Sequence, residues 1–386
     1  MDNMLKLKPI DQLNLPDSYS GTQGINRANR NVCQIDADND LDAIRTWLSE
    51  YQDSPQTYRT YRKEAERLLL WGLVERGRPL SSLNRDDFIA YEAFVADPQP
   101  QEIWCGSRYP RTSNKWRPFQ GPLTLQSQRQ ALVIIQSLLS YLVEAGYLAA
   151  NPFALRRRRL PKANNDEQIN ERYLEKDLWD YLYNFIVTQT PTTEREKAHY
   201  ERNRYLLSLL YLLTPRVSEV ASHTMGSFHE REGKWWWHVT GKGNKTQRIP
   251  VNTLMFEALC RYRKHLKLSP RPDVGDTTPI ILNITGTSGL SANMIYRIAK
   301  NITLSAANKL ENDDPIKAAK LLQVSTHWFR HTGLTHQLDS GIDLRYVNKN
   351  ARHSKMETTT IYLHTEDDNW HEEMSKHDLN TDSSGE

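Results

Sequence analysis

The sequence predicts a mainly helical α+β chain of two domains, with one small antiparallel β-sheet. Three observations predict it. Apolar residues recur at helical spacing over most of 40–150 and again from 171 to 339. Asn151-Pro152 interrupts that pattern, and Arg156, Arg157, Arg158 and Arg159 follow it at once, with Lys162 just beyond. Two extended runs, 234–240 and 247–251, flank the turn Gly241-Lys242-Gly243-Asn244-Lys245.

In chain order, residues 1–38 are rich in Asn, Asp, Gln and Ser and show no period, so they read as a flexible arm. A helical domain is expected over 39–152. Its first helix is 41–50. The second starts with Ser54 as N-cap and Pro55 at the first helical position, continues through Tyr58, Tyr61, Ala65, Leu68 and Leu69, and is expected to stop at Gly72. The third follows Asn84. Residues 97–122 carry Pro, Gly and Ser and read as a long functional loop, and a fourth helix is expected over 124–145 with Gly146 after it. Residues 153–169 form a basic linker. Beyond it, helices are expected over 171–187, 194–213, 253–266, 291–308, 315–322 and 326–339, with the hairpin between the second and third of these.

Bulk composition narrows the class. A chain of 386 residues is too long for one ordinary core and suits two domains. The mean hydropathy of −0.70 and a longest apolar stretch of only 205–213 predict a soluble protein with no membrane span or signal peptide. Cys33, Cys105 and Cys260 are scattered, odd in number and lack metal-ligand spacing, which fits a reducing cytoplasm and neither a disulfide framework nor a zinc site. The formal charge is only +3, so any polyanion footprint must come from local clusters such as the arginine run.

Four clusters carry chemistry suited to a phosphodiester. Arg216, in Thr214-Pro215-Arg216-Val217-Ser218-Glu219, stands where one helix ends and another begins, beside unpaired backbone N–H groups. Lys242 lies at a hairpin tip between two glycines. His327 and Arg330 share a helix face at i and i+3, and a cap at Ser325 or Thr326 puts His327 in the first turn, where the helix dipole favours neutral imidazole. His353 is followed nine residues later by Tyr362. Taken singly, each has an ordinary reading: a surface arginine, a solvated turn lysine, a satisfied histidine, a half-buried aromatic. Their order along one chain reverses that balance.

The stretch His327-Trp328-Phe329-Arg330-His331-Thr332, then Thr335-His336, Gly341, Asp343-Leu344-Arg345, His353-Ser354, Thr358-Thr359 and Ile361-Tyr362, resembles the tyrosine recombinase or phage integrase family, which includes the Xer enzymes. Upstream, Arg216-Val217-Ser218-Glu219 resembles that family's first arginine box, and Gly241-Lys242-Gly243-Asn244-Lys245 with Arg248-Ile249-Pro250-Val251 its β-hairpin. The resemblance spans about 170–365, and 39–152 fits the family's SAM-like core-binding domain in size and pattern. Two departures stand out. Arg352 precedes His353 where the family usually has Gly, and Thr214-Pro215 precede Arg216 where Gly-Leu or Gly-Ala is commoner.

The resemblance implies an enzyme that cuts and rejoins DNA at specific sites through a 3′-phosphotyrosine, for recombination or integration of a mobile element. Arg216 and Arg330 are suited to the non-bridging oxygens, Tyr362 to attack, His327 to accept the tyrosine proton, Lys242 to protonate the leaving 5′ oxygen and His353 to hydrogen-bond the phosphate, with Glu219 in support. No metal and no cofactor are implied. Arg156, Arg157, Arg158, Arg159, Lys162 and Lys245 are expected DNA contacts. The implied partners are duplex DNA, a homotetramer on two sites and a directionality or DNA-bending factor, with a cytoplasmic, nucleoid-associated location. The tail 366–386 would dock on a neighbouring protomer. A type IB topoisomerase or telomere resolvase, and an inactive DNA-binding regulator of the same fold, are the competing readings.

Overall fold

The computed structural model describes residues 7–155, 172–241 and 246–352. The chain separates into two compact units, residues 1–163 and 164–386.

The first unit is a helical bundle of α1 (Asp40–Ser49), α2 (Pro55–Val74), α3 (Arg85–Ala96) and α4 (Leu125–Glu144). Asn84 caps α3 in a reciprocal box with Asp87, and Thr124 caps α4. Trp47, Leu68, Phe88, Tyr91, Ile135 and Leu138 fill the core. Helix α2 runs past Gly72 to Val74, because packing of Leu73 sustains the helix where propensity alone would end it.

Residues 7–38 are not the flexible arm expected from composition. Ile10 and Leu13 are buried, and Ile10 N donates to Glu66 Oε2 at 2.7 Å. Arg27 bridges Leu148 as an isolated antiparallel pair and lays its guanidinium 3.7 Å from the Tyr147 ring centroid. Gly146, at φ +68, lets the segment cross closely: a Cβ there would lie 2.4 Å from Val32 O. Three sparse apolar anchors, Ile10, Leu13 and Ala37, and long-range backbone bonds leave no periodic mark in a sequence. The 97–122 segment is likewise anchored, by Trp104 and Phe119 in the core and by Arg111 on Glu66 and Asp11.

In the second unit, α5 (Lys176–Val187) and α6 (Glu194–Leu212) lead through the short α7 (Val217–Ser222) into the sheet. Strands β1 (Phe228–Arg231), β2 (Lys234–Thr240) and β3 (Thr246–Pro250) form one antiparallel sheet in the order β1-β2-β3. Trp237 pairs with both Phe228 and Ile249 and is fully buried, so alternate β2 residues face the core. Strand β1 was not expected, having a single buried apolar residue. Helices α8 (Thr253–His265), α9 (Ala292–Leu310), α10 (Pro315–Gln323), α11 (Thr326–Asp339) and α12 (Leu344–Ala351) complete it. Buried Val347 and Ala351 pack α12 on Leu334 of α11. Among the described residues, no helix is long and apolar enough to cross a membrane.

Candidate active site

The site begins at the sharp turn after α6. Thr214 is fully buried at φ +47, a conformation that costs a β-branched residue about 1–3 kcal/mol. Two contacts hold it. Arg330 Nη1 donates to Thr214 O at 2.5 Å. Helix α11 also comes within reach of the turn only because residue 333 is Gly: a Cβ there would lie 2.4 Å from Tyr211 O and 2.6 Å from Thr214 Cγ2.

Past the turn, Arg216 is the N-cap of α7. Glu219 Oε2 accepts from Arg216 N at 2.7 Å, and Oε1 accepts from its Nη1 at 3.0 Å. The Arg216 side chain remains 42% exposed while Glu219 is buried. Burial alone would raise the Glu219 carboxyl, but the charge of Arg352 and the hydrogen bonds and charge of Arg216 outweigh it and hold Glu219 below its ordinary range.

Helix α11 brings His327 and Arg330 to the same place. Its N-cap is Ser325, which makes no side-chain capping bond. Arg330 is 2% exposed; beyond Thr214 its guanidinium donates through Nη2 to Ala351 O, joining the turn before Arg216 to the end of α12. His327 keeps an exposed edge, yet the surrounding protein desolvates its ring, and that together with the charges of Arg330, Arg216 and Arg172 lowers its pKa. Neutral imidazole at neutral pH can accept a proton.

Two links that sequence reasoning did not foresee complete the network, one from His223 and one from Arg352. His223 Nε2 accepts from Thr240 N at 2.9 Å, so its Nδ1 carries the proton and donates to Glu219 O at 2.8 Å. It therefore ties α7 to the end of β2, where the hairpin turn begins. A Cβ on Gly241 would lie 3.7 Å from Glu219 Oε1, so the turn opens beside that carboxylate. Arg352 is the second: its guanidinium reaches Glu219. No sequence pattern marks either link. The expected site residues Lys242, His353 and Tyr362, and the expected DNA contacts Arg156, Arg157, Arg158, Arg159, Lys162 and Lys245, lie outside the described residues. Among the described residues, no cluster of three His, Cys, Asp or Glu could hold a metal ion.

Both departures from the family pattern fall where the backbone is left-handed: Thr214 at φ +47 and Arg352 at φ +54. The chain keeps the conformation a glycine would favour there, without the glycine.

The model of the phage integrase family matches residues 173–369. The tyrosine recombinase XerC of Anoxybacillus flavithermus is 31% identical over 238 residues, 61% of this chain and 69% of the relative. The tyrosine recombinase XerD of Staphylococcus epidermidis is 29% identical over 248 residues, 60% of this chain and 77% of the relative. Among solved structures, XerH site-specific recombinase bound to palindromic difH substrate shares the fold with a TM-score of 0.60 at 15% identity, over 86% of this chain and 83% of that one. The Tn1549 transposon integrase in complex with transposon right end DNA gives 0.60 at 15% identity, over 87% and 98%. With its family model matching just over half of its length and a named tyrosine recombinase at 31% identity, the chain belongs to the phage integrase family and is a tyrosine-type site-specific recombinase.

Proposed function

We propose that the protein cleaves and rejoins duplex DNA at specific sites through a 3′-phosphotyrosine at Tyr362, with no metal and no ATP. The observation that supports it best is the convergence of Arg216, His327 and Arg330 around the turn at Thr214. Two guanidinium charges and a neutral imidazole are what an anionic diester needs before an oxygen nucleophile can approach. The Tyr362 oxygen attacks phosphorus and His327 takes its proton. The 5′ oxygen departs with a proton from Lys242, while Arg216, Arg330 and His353 hold the non-bridging oxygens. The ester keeps the bond energy, and the 5′ hydroxyl of a partner strand reverses the step. Residues 39–152 serve as the core-binding domain. Arg156, Arg157, Arg158, Arg159, Lys162 and Lys245 contact the DNA backbone. A homotetramer assembles on two sites, with residues 366–386 docking on a neighbouring protomer and an accessory bending or directionality factor acting where direction is controlled.

The test is a covalent complex. Protein is incubated in EDTA with labelled duplex from the junctions of its own element, nicked beside the candidate cut. A slow, protease-sensitive band on a denaturing gel is the expected result. Specific binding with no such band favours the inactive regulator. Relaxation of supercoiled DNA irrespective of sequence favours the topoisomerase reading.

Adduct formation should lose rate on the acid side through His327. The lowered His327 pKa keeps its base form dominant above pH 6.5, so adduct formation should be flat in that group from 6.5 to 8 and fall only on the acid side. His327→Gln should lower the rate about 10²–10⁴-fold and remove the acid limb. A limb centred above 6.5 in the wild type would sink the assignment of His327 as base.

A further inference from the structure

Arg352 is the feature that the phosphotyrosine reading leaves without a task. It closes α12 in a left-handed turn, φ +54 and ψ +40, which L side chains adopt at a cost. From there its side chain folds back: Nη2 donates to Glu219 Oε2 at 2.7 Å, Nε to Glu219 Oε1 at 3.3 Å, and Nη1 to Asn350 O at 2.7 Å. With the two donors from Arg216, the Glu219 carboxylate receives four N–H groups, about as many as its lone pairs accept. It cannot turn without breaking an ion pair that has almost no contact with water.

Exposure separates the two arginines. The Arg352 side chain is 5% exposed, against 42% for Arg216. Arg216 can meet an incoming anion, whereas Arg352 faces the carboxylate. An Arg216–Glu219 pair alone is neutral and would attract a phosphate weakly. A second buried guanidinium on the same carboxylate leaves a net positive charge, and the exposed Arg216 presents it. Arg352 is also the residue before His353, so its bond to Glu219 ties the chain entering His353 to the helix that begins at Arg216.

We propose that Arg352 is a positioning residue for strand cleavage. It clamps Glu219, which leaves the Arg216 charge available to the scissile phosphate and fixes the chain that leads to His353. The proposal rests on the phosphotyrosine reading.

The experiment compares wild type, Arg352→Gly and Arg352→Lys in single-turnover adduct formation on the nicked junction duplex. Each is measured with a normal scissile phosphate and with a methylphosphonate, which lacks one anionic oxygen. Glycine suits the left-handed backbone and removes only the side chain; lysine keeps charge but cannot grip both oxygens. The expected result is a rate loss of about 10²-fold for Arg352→Gly on phosphate, typical of a misplaced catalytic group, with DNA affinity unchanged. The loss should be smaller for Arg352→Lys and should shrink for both variants on the methylphosphonate, where less charge needs neutralising. A purely structural role would lower the melting temperature and slow both substrates equally, and that outcome overturns the proposal. So does Arg352→Gly cleaving as fast as an active wild type, which leaves the phosphotyrosine reading standing. A wild type that forms no adduct overturns both.

Discussion

Replacing Tyr362 with Phe should abolish the covalent DNA–protein adduct, a loss of roughly 10⁴-fold or more, of the size seen when a covalent nucleophile is removed. The change deletes one oxygen and keeps the ring, so packing and DNA affinity should hold. Arg216 and Arg330 would still polarise the phosphate, and water could attack it slowly, but the products would be a 3′-phosphate and a 5′-hydroxyl with no attached protein. Denaturing gels of the nicked duplex before and after protease separate the two outcomes. A protease-sensitive band that survives in Tyr362→Phe would remove Tyr362 from its role and shift attention to another hydroxyl.

The second large effect is at Arg330. Arg330→Ala should lower adduct formation about 10²–10³-fold, the scale of losing one preorganised donor to a developing charge. It should also lower stability, because Thr214 O and Ala351 O lose a buried donor and each unsatisfied acceptor costs about 1–3 kcal/mol. At about 2–4 °C per kcal/mol for a unit of this size, calorimetry should show a clear fall in melting temperature. Arg330→Lys should recover little of either, since one ammonium cannot span the two carbonyls that the guanidinium fork joins. Full cleavage by Arg330→Ala would exclude a role in phosphate stabilisation, and an unchanged melting temperature would show that the carbonyl bridge contributes nothing to folding.

Sequence and structure agree where interactions are local. Helices α9, α10 and α11 were legible because apolar spacing and caps act over one or two turns, as at Ser325, expected as a cap of α11 and found as its N-cap. The β2–β3 pair was legible because strands alternate faces, and it emerged as Lys234–Thr240 and Thr246–Pro250. Helix α12 was missed, since its few buried residues, Val347 and Ala351, make sense only against Leu334. The order Arg216, His327, Arg330 was legible as chemistry because each residue type can act on a phosphodiester.

By itself the sequence determined the helical periods, the hairpin, the family motifs and the types of charge available. Only the tertiary structure decided that residues 7–38 join the first core, that Thr214 and Arg352 take left-handed turns, that His223 links α7 to β2, and that Arg352 shares Glu219 with Arg216. The physical reason is range. A bond between residues three or four apart constrains their spacing and can be read from it. An ion pair between Glu219 and Arg352 constrains only where two distant segments meet, and either residue alone looks like any charged side chain.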